Sequence, residues 1–156
     1  MQIPSKARAV IIGGGVIGCS IAYHLGKLGW KDVVLLERKQ LTCGTTWHAA
    51  GLIAQLRATQ NMTRLAKYSQ ELYFGLEAET GVATGFKRNG SITVALTDER
   101  MEELRRSAAM ARAFGVEIDE ITPSDIAGRY PGLATADVVG GVWLPKDGQA
   151  DPVNIT

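Results

Sequence analysis

Gly13, Gly15 and Gly18 stand in the run Gly13-Gly14-Gly15-Val16-Ile17-Gly18, which satisfies G-x-G-x-x-G. The chemistry such a run can do is anion binding. Gly13 permits a tight turn, Gly15 lets backbone approach a pyrophosphate with no Cβ in the way, and Gly18 lets the following helix lie close on a strand. Val16 and Ile17, opening that helix, bring N–H groups and the positive end of the helix dipole to the same anion. Glu37 follows 19 residues after Gly18, the spacing at which a carboxylate accepts hydrogen bonds from a ribose. A charge-assisted bond of that kind contributes about 1.5–3 kcal/mol. Glu37 would repel the extra phosphate of an NADP-type ligand, although the adjacent Arg38 could offset this. The glycine loop alone does not separate a flavin dinucleotide from a nicotinamide one.

The elements that must hold these residues are legible around them. Ala7 to Ile12, ARAVII, is short and apolar between charge and glycine, and reads as a fully buried strand. Val16 to Leu28 reads as a helix with Gly18, Ala22 and Leu25 on one face and Gly29 as its stop. Asp32 to Glu37 is a second apolar strand, so the three make a right-handed βαβ unit. After a turn-rich stretch from Arg38 to Gln60, the spacing of Leu65, Tyr68, Leu72 and Leu76 predicts a helix over Met62 to Thr80, closed by Gly81. Phe86 to Leu96 predicts a hairpin turning at Asn89-Gly90. Asp98 to Phe114 is an amphipathic helix ended by Gly115. Thr122-Pro123-Ser124-Asp125 has capping-box form, with a short helix to about Tyr130. Val138 to Leu144 is a last strand before the turn Lys146-Asp147-Gly148. The expected fold class is α/β, a Rossmann-type βαβ start followed by part of a mixed-sheet region.

Composition narrows the function classes. A chain of 156 residues holds one domain of ordinary size rather than two complete ones. Seventeen Lys and Arg against 16 Asp and Glu leave a net charge of +1, so nothing argues for a nucleic-acid footprint or a polybasic membrane anchor. No apolar run approaches the ~20 residues of a membrane span. The opening leaves no room for a signal peptide's apolar core. Cys19 and Cys43 form no CxxC, and with only His24 and His48 besides they build no zinc site. The expected compartment is reducing: the cytoplasm, or the mitochondrial matrix if a leader has been removed.

The stretch after Glu37 decides more. Leu41-Thr42-Cys43-Gly44-Thr45-Thr46-Trp47-His48-Ala49-Ala50-Gly51-Leu52 resembles the signature of FAD-dependent amine oxidoreductases of the D-amino-acid-oxidase superfamily. Within it the chain most resembles the sarcosine and dimethylglycine dehydrogenase family. The resemblance spans nearly the whole chain and includes Leu36-Glu37-Arg38, Glu79-Thr80-Gly81, Asn89-Gly90-Ser91-Ile92, Asp147-Gly148 and Asp151-Pro152. Gln55-Leu56-Arg57 lies closer to the sarcosine branch.

The resemblance implies FAD as the cofactor, covalently attached through His48, the matching residue of the Thr-Trp-His motif. A neutral imidazole nitrogen is a competent nucleophile for such a link. Gly44 and Gly51 would let backbone run beside a flat ring. Leu52 falls in the same loop, and Thr45 and Thr46 offer hydroxyls to the phosphates or the flavin. Arg57 could face a substrate carboxylate. The implied reaction is oxidative N-demethylation of sarcosine or dimethylglycine, with electrons passing to a carrier protein or to oxygen. Catalytic residues are not identified, and no metal is implied. Family members are several times longer, so the chain is expected to be an N-terminal fragment: residues 1–82 part of an FAD-binding domain, residues 83–156 an incomplete substrate domain. Such a fragment should bind FAD weakly and not turn over amine. Beside this stand a truncated reading frame with no independent function, compatible with the enzyme reading of its parent, and two alternatives of other classes. One is a non-catalytic relative of the same fold, such as a pyruvate dehydrogenase phosphatase regulatory subunit, which the Thr-Trp-His motif argues against. The other is a plain nicotinamide-binding Rossmann module, which the Trp-His loop argues against.

Overall fold

The computed structural model describes residues 4–156. The chain forms two compact units, one made of the chain up to Gly51 together with Ala150–Thr156, the other of Leu52–Gln149.

The first unit is built on the predicted βαβ. Strand β1 (Ala9–Ile12), helix α1 (Val16–Lys27) and strand β2 (Val33–Leu36) follow in order. β1 and β2 pair in parallel, from Ala9 opposite Val33 to Ile12 opposite Leu36. The expectation of a fully buried first strand fails. Ile11 is 8% exposed, but Val10 is 54% and Ile12 87% exposed. Successive strand side chains point to opposite faces, and only the face carrying Ile11 lies under α1. The segment 38–51 holds a single 3₁₀ turn, Thr46–His48. At the other end of the unit Asp151 closes a turn, its Oδ1 accepting from the N–H groups of Val153 at 2.8 Å and Asn154 at 3.0 Å.

The second unit carries the larger core. Strands β3 (Leu52–Ile53), β4 (Ser91–Ala95), β5 (Asp119–Ile121), β6 (Gly140–Leu144) and β7 (Gly148–Gln149) alternate with helices α2 (Gln60–Thr80), α3 (Asp98–Ala113) and α4 (Pro123–Arg129). β4, β6 and β5 form one antiparallel sheet with β6 in the centre, and β3 pairs antiparallel with β7. α3 lays Met101, Leu104, Ala108 and Ala111 against Ala95, Val142 and Leu144, the stripe its sequence announces. The predicted capping box on α4 is present: Thr122 Oγ1 accepts from Asp125 N–H, and the Asp125 carboxylate accepts from Thr122 N–H.

One expectation is corrected here. Asn89-Gly90 does not turn a hairpin. Lys87 bridges to Gln149 and β4 pairs with β6. The indole of Trp143 lies so close over Gly90 that a Cβ there would fall inside it. The predicted helix is present as α2, closed by Gly81, and its fully buried side chains are polar. Leu65 and Tyr68 are 57% and 53% exposed, whereas Thr63 and Gln70 are fully buried. These polar groups are all partnered. Thr63 bonds the backbone of Arg57, and the Gln70 amide donates to Lys146 O and accepts from Gln55. The same network draws α2 into the second unit, so the compact units change over at Gly51 and again at Ala150, whereas the sequence reading divides the chain at residue 82.

A glycine loop, a bridging carboxylate and a capped helix

The glycine loop turns at Gly13, whose φ of 107° is open to glycine and strained for any other residue. Its N–H donates to Leu36 O at 2.8 Å, which lays the loop across the end of β2. A Cβ on Gly18 would stand 1.9 Å from Gly13 O and 3.4 Å from the side chain of Ile11. The third glycine therefore sets the distance between α1 and the strand, as its spacing predicts.

Glu37, immediately after β2, reaches back over this loop. Its Oε2 accepts from Gly14 N–H at 2.8 Å and its Oε1 from Lys39 N–H at 3.0 Å. These donors, Gly14 first, hold its pKa below the ordinary carboxylate value, with a smaller contribution from the nearby Arg38 charge. A carboxylate has about four lone-pair sites, so two bonds leave room for ligand hydroxyls. Cys43 Sγ lies 3.9 Å from Oε1.

Gly14, Leu41 and Thr42, to which motif spacing assigns no role of their own, complete the cradle. Gly14 occupies an unconstrained position of the motif, yet a Cβ there would meet Leu41 at 2.5 Å and Glu37 at 3.1 Å. Thr42, buried and at φ 67°, donates its N–H to Gly14 O at 2.8 Å. That backbone conformation costs a non-glycine residue roughly 1–2 kcal/mol. Thr42 falls within the Leu41–Leu52 signature, but nothing in the sequence marks its conformation, because threonine rarely adopts it. Gly14 was detectable only as a third glycine in a motif that requires two there.

Thr46 joins the following turn to the helix. Its Oγ1 accepts from Val16 N–H at 3.0 Å. Val16 opens α1, and its cap residue Gly15 has no side chain with which to satisfy it. From Thr46 the 3₁₀ turn runs to His48, which is exposed and meets Trp47 edge to face at 3.9 Å between ring centres. Gly13, Gly15, Val16, Gly18, Glu37 and Thr46 are thus brought together. Ile17 is 75% exposed on the first turn of α1, and Gly44 has open space around it. Gly51 has a local task. At φ 74°, its Cβ position is 2.2 Å from Ala150 O, and its carbonyl accepts from Ala150 N–H at 2.9 Å. Leu52 lies outside this unit, 75% exposed in β3. The second unit has its own groove of about 270 Å³, lined in part by Leu52, Arg57, Met62, Leu65 and Tyr73. There the Arg57 guanidinium donates to its neighbour's carbonyl, Leu56 O, at 2.9 Å.

This arrangement fits a dinucleotide. The first turn of α1 carries no acidic side chain, so its positive end is uncompensated. Nothing lies within 4 Å of a Cβ built on Gly13, and only the Thr46 hydroxyl lies near one built on Gly15.

Known proteins agree with that geometry. Residues 8–156 match the model of the family described as DAO, FAD dependent oxidoreductase. The chain is 41% identical to human sarcosine dehydrogenase, covering 96% of this chain and 16% of the relative. Human dimethylglycine dehydrogenase is 42% identical, with 99% and 18% covered. The mouse pyruvate dehydrogenase phosphatase regulatory subunit is 40% identical, with 94% and 17% covered. Among solved structures, L-proline dehydrogenase from P. horikoshii superposes with a TM-score of 0.89 at 32% identity, covering 96% of this chain and 39% of that one. The chain therefore spans about a sixth of the length of these curated relatives. With the βαβ unit, its glycine loop and its bridging glutamate all in place, the chain belongs to the DAO family of FAD-dependent oxidoreductases.

Proposed function

We propose that this chain is the N-terminal part of an FAD-dependent enzyme that oxidatively demethylates a small N-methyl amino acid of the sarcosine or dimethylglycine class. The observation that carries the reading is the Thr46–His48 turn, tied to the first N–H of α1 beside the glycine loop. Gly13, Gly15, Ile17 and Gly18 border the pyrophosphate, and Val16, whose N–H is given to Thr46 Oγ1, lines the same turn. Glu37 takes the ribose, with Arg38 beside it. Gly44, Thr45, Thr46, Gly51 and Leu52 serve the loop that leads to the flavin, and His48 carries the covalent link. When bound, FAD supplies the two-electron sink for the hydride equivalent that leaves the N-methyl carbon. The iminium left on the substrate hydrolyses to formaldehyde and the demethylated amine, and a carrier protein or oxygen takes the electrons. The free thiols of Cys19 and Cys43 fit a reducing compartment, the cytoplasm or the mitochondrial matrix. The isolated 156-residue chain should bind FAD weakly and release no formaldehyde.

The test uses the full-length protein. After acid precipitation the yellow chromophore should stay with the wild-type pellet and wash out of His48→Ala. A wild type that also loses its flavin in acid would remove the covalent role of His48. A second reading, a non-catalytic regulatory relative, is favoured by the 40% identity to the phosphatase regulatory subunit. It takes over if the full-length protein releases no formaldehyde from any N-methyl amino acid supplied with an artificial electron acceptor.

A further inference from the structure

We infer that Thr46 is a positioning residue for flavin attachment: its hydroxyl, seated on Val16 N–H, fixes where His48 stands relative to the glycine loop. The inference rests on the reading above, in which His48 carries the flavin. Helix α1 begins with donors that have no intrahelical partner. The residue that should cap them, Gly15, makes no side-chain bond. The hydroxyl that does so comes from 30 positions later, Thr46 Oγ1 at 3.0 Å from Val16 N. Gly15 and Thr46 are fitted to each other, since a Cβ on Gly15 would stand 2.9 Å from that oxygen. The bare face of Gly15 thus houses the Thr46 hydroxyl as well as leaving backbone open to a phosphate.

Thr46 is also the first residue of the 3₁₀ turn. Its carbonyl accepts from Ala49 N–H at 3.1 Å, and Thr45 O accepts from His48 N–H at 3.2 Å. The turn is too short to drift: with its first residue pinned to the helix and two backbone bonds closing it, His48 is placed two residues later, its ring set against Trp47. In the attachment step His48 loses its ring proton and gains a bond from a ring nitrogen to the flavin methyl carbon, which loses one hydrogen. Two protons and two electrons leave for the electron acceptor, oxygen or the carrier protein. Such a bond forms only when the nitrogen is held close to that carbon, and a misplacement of about 1 Å can slow a reaction by about 10²-fold.

The experiment loads full-length apoprotein with FAD and follows two quantities: the dissociation constant at the first time point, and the rate at which flavin becomes acid-stable. Thr46→Val keeps the shape of threonine and removes the oxygen acceptor; Thr46→Ser keeps the acceptor. At FAD concentrations that saturate each variant, Thr46→Val should attach flavin at least about tenfold more slowly than wild type, and Thr46→Ser should restore the rate. Attachment by Thr46→Val at the wild-type rate overturns the inference. So does a loss of attachment that merely follows a loss of FAD affinity, or a Thr46→Ser variant as slow as Thr46→Val. If Thr46→Val precipitates, Thr46→Ala, which adds no bulk against Gly15, is compared with Thr46→Ser in the same way. Acid-removable flavin in the wild type instead overturns the role of His48, a result distinct from all of these.

Discussion

Glu37 does structural work with the same carboxylate that faces a ribose in the proposed complex. It clamps Gly14 N–H with one oxygen and Lys39 N–H with the other, and these donors lower its pKa from the ordinary value. The unfolded chain keeps the ordinary glutamate pKa of about 4.3. A group whose pKa is lower when folded stabilises the fold above the unfolded pKa, and that stabilisation is lost as pH falls through the folded value. Glu37→Gln replaces one acceptor with an amide donor facing a backbone donor. The variant should therefore unfold at lower denaturant than wild type at neutral pH, and the difference should shrink as pH falls below about 4.3. Urea unfolding midpoints across that range check this; a difference that stays constant into strong acid would show that the clamp contributes nothing through its charge. The residue scale was partly legible. Motif spacing finds Gly13, Gly18 and Glu37, but Thr42 and Leu41 enter only because the fold returns them over Gly14.

Among the elements, α1 provides a controlled comparison between two of its own glycines. At Gly18 an added Cβ collides with Gly13 O at 1.9 Å, and at Gly26 it meets nothing within 4 Å. Gly18→Ala should destabilise by about 1–3 kcal/mol or more, by forcing the helix from the strand. Gly26→Ala, in the last turn of α1, should stabilise by up to about 0.5 kcal/mol, because glycine loses more backbone freedom than alanine on entering a helix. Thermal midpoints of the two variants moving in the same direction would contradict this. Elements whose causes are local were readable from sequence: β1, α1 and β2 from their alternating apolar and glycine segments, α3 from its stripe, α4 from its capping box. Those that depend on distant partners were not. Asn89-Gly90 looks like a hairpin turn, but its surroundings are set by Trp143 and Gln149. β5 is Asp119-Glu120-Ile121, too short, with a single apolar residue, to show an alternation, yet it pairs along β6. α2 buries Thr63 and Gln70 because Gln55, Arg57 and Lys146 supply their partners.

At the scale of the molecule, the two units differ in how much apolar surface they close. Among the described residues of the first unit only Ile11 is a buried apolar side chain, while the second unit buries two clusters. Regions with few buried apolar contacts open most readily. In the 156-residue chain, backbone amides of β6 and α3 should exchange with deuterium far more slowly than those of β1 and β2, as measured by mass spectrometry of peptides. Equal protection in both units would mean that the glycine-loop unit has a source of stability outside its apolar core. The bond between Gly51 O and Ala150 N also fixes an order in time. The segment that completes the glycine-loop unit leaves the ribosome only after all of Leu52–Gln149. At synthesis rates of about 5–20 residues per second, the first strands, helix and Thr46 turn wait several seconds for their closing partner. β6 and β7, which complete the sheets of the second unit, emerge only at the close of that interval, so both units wait on the same last stretch of chain, residues 140–156.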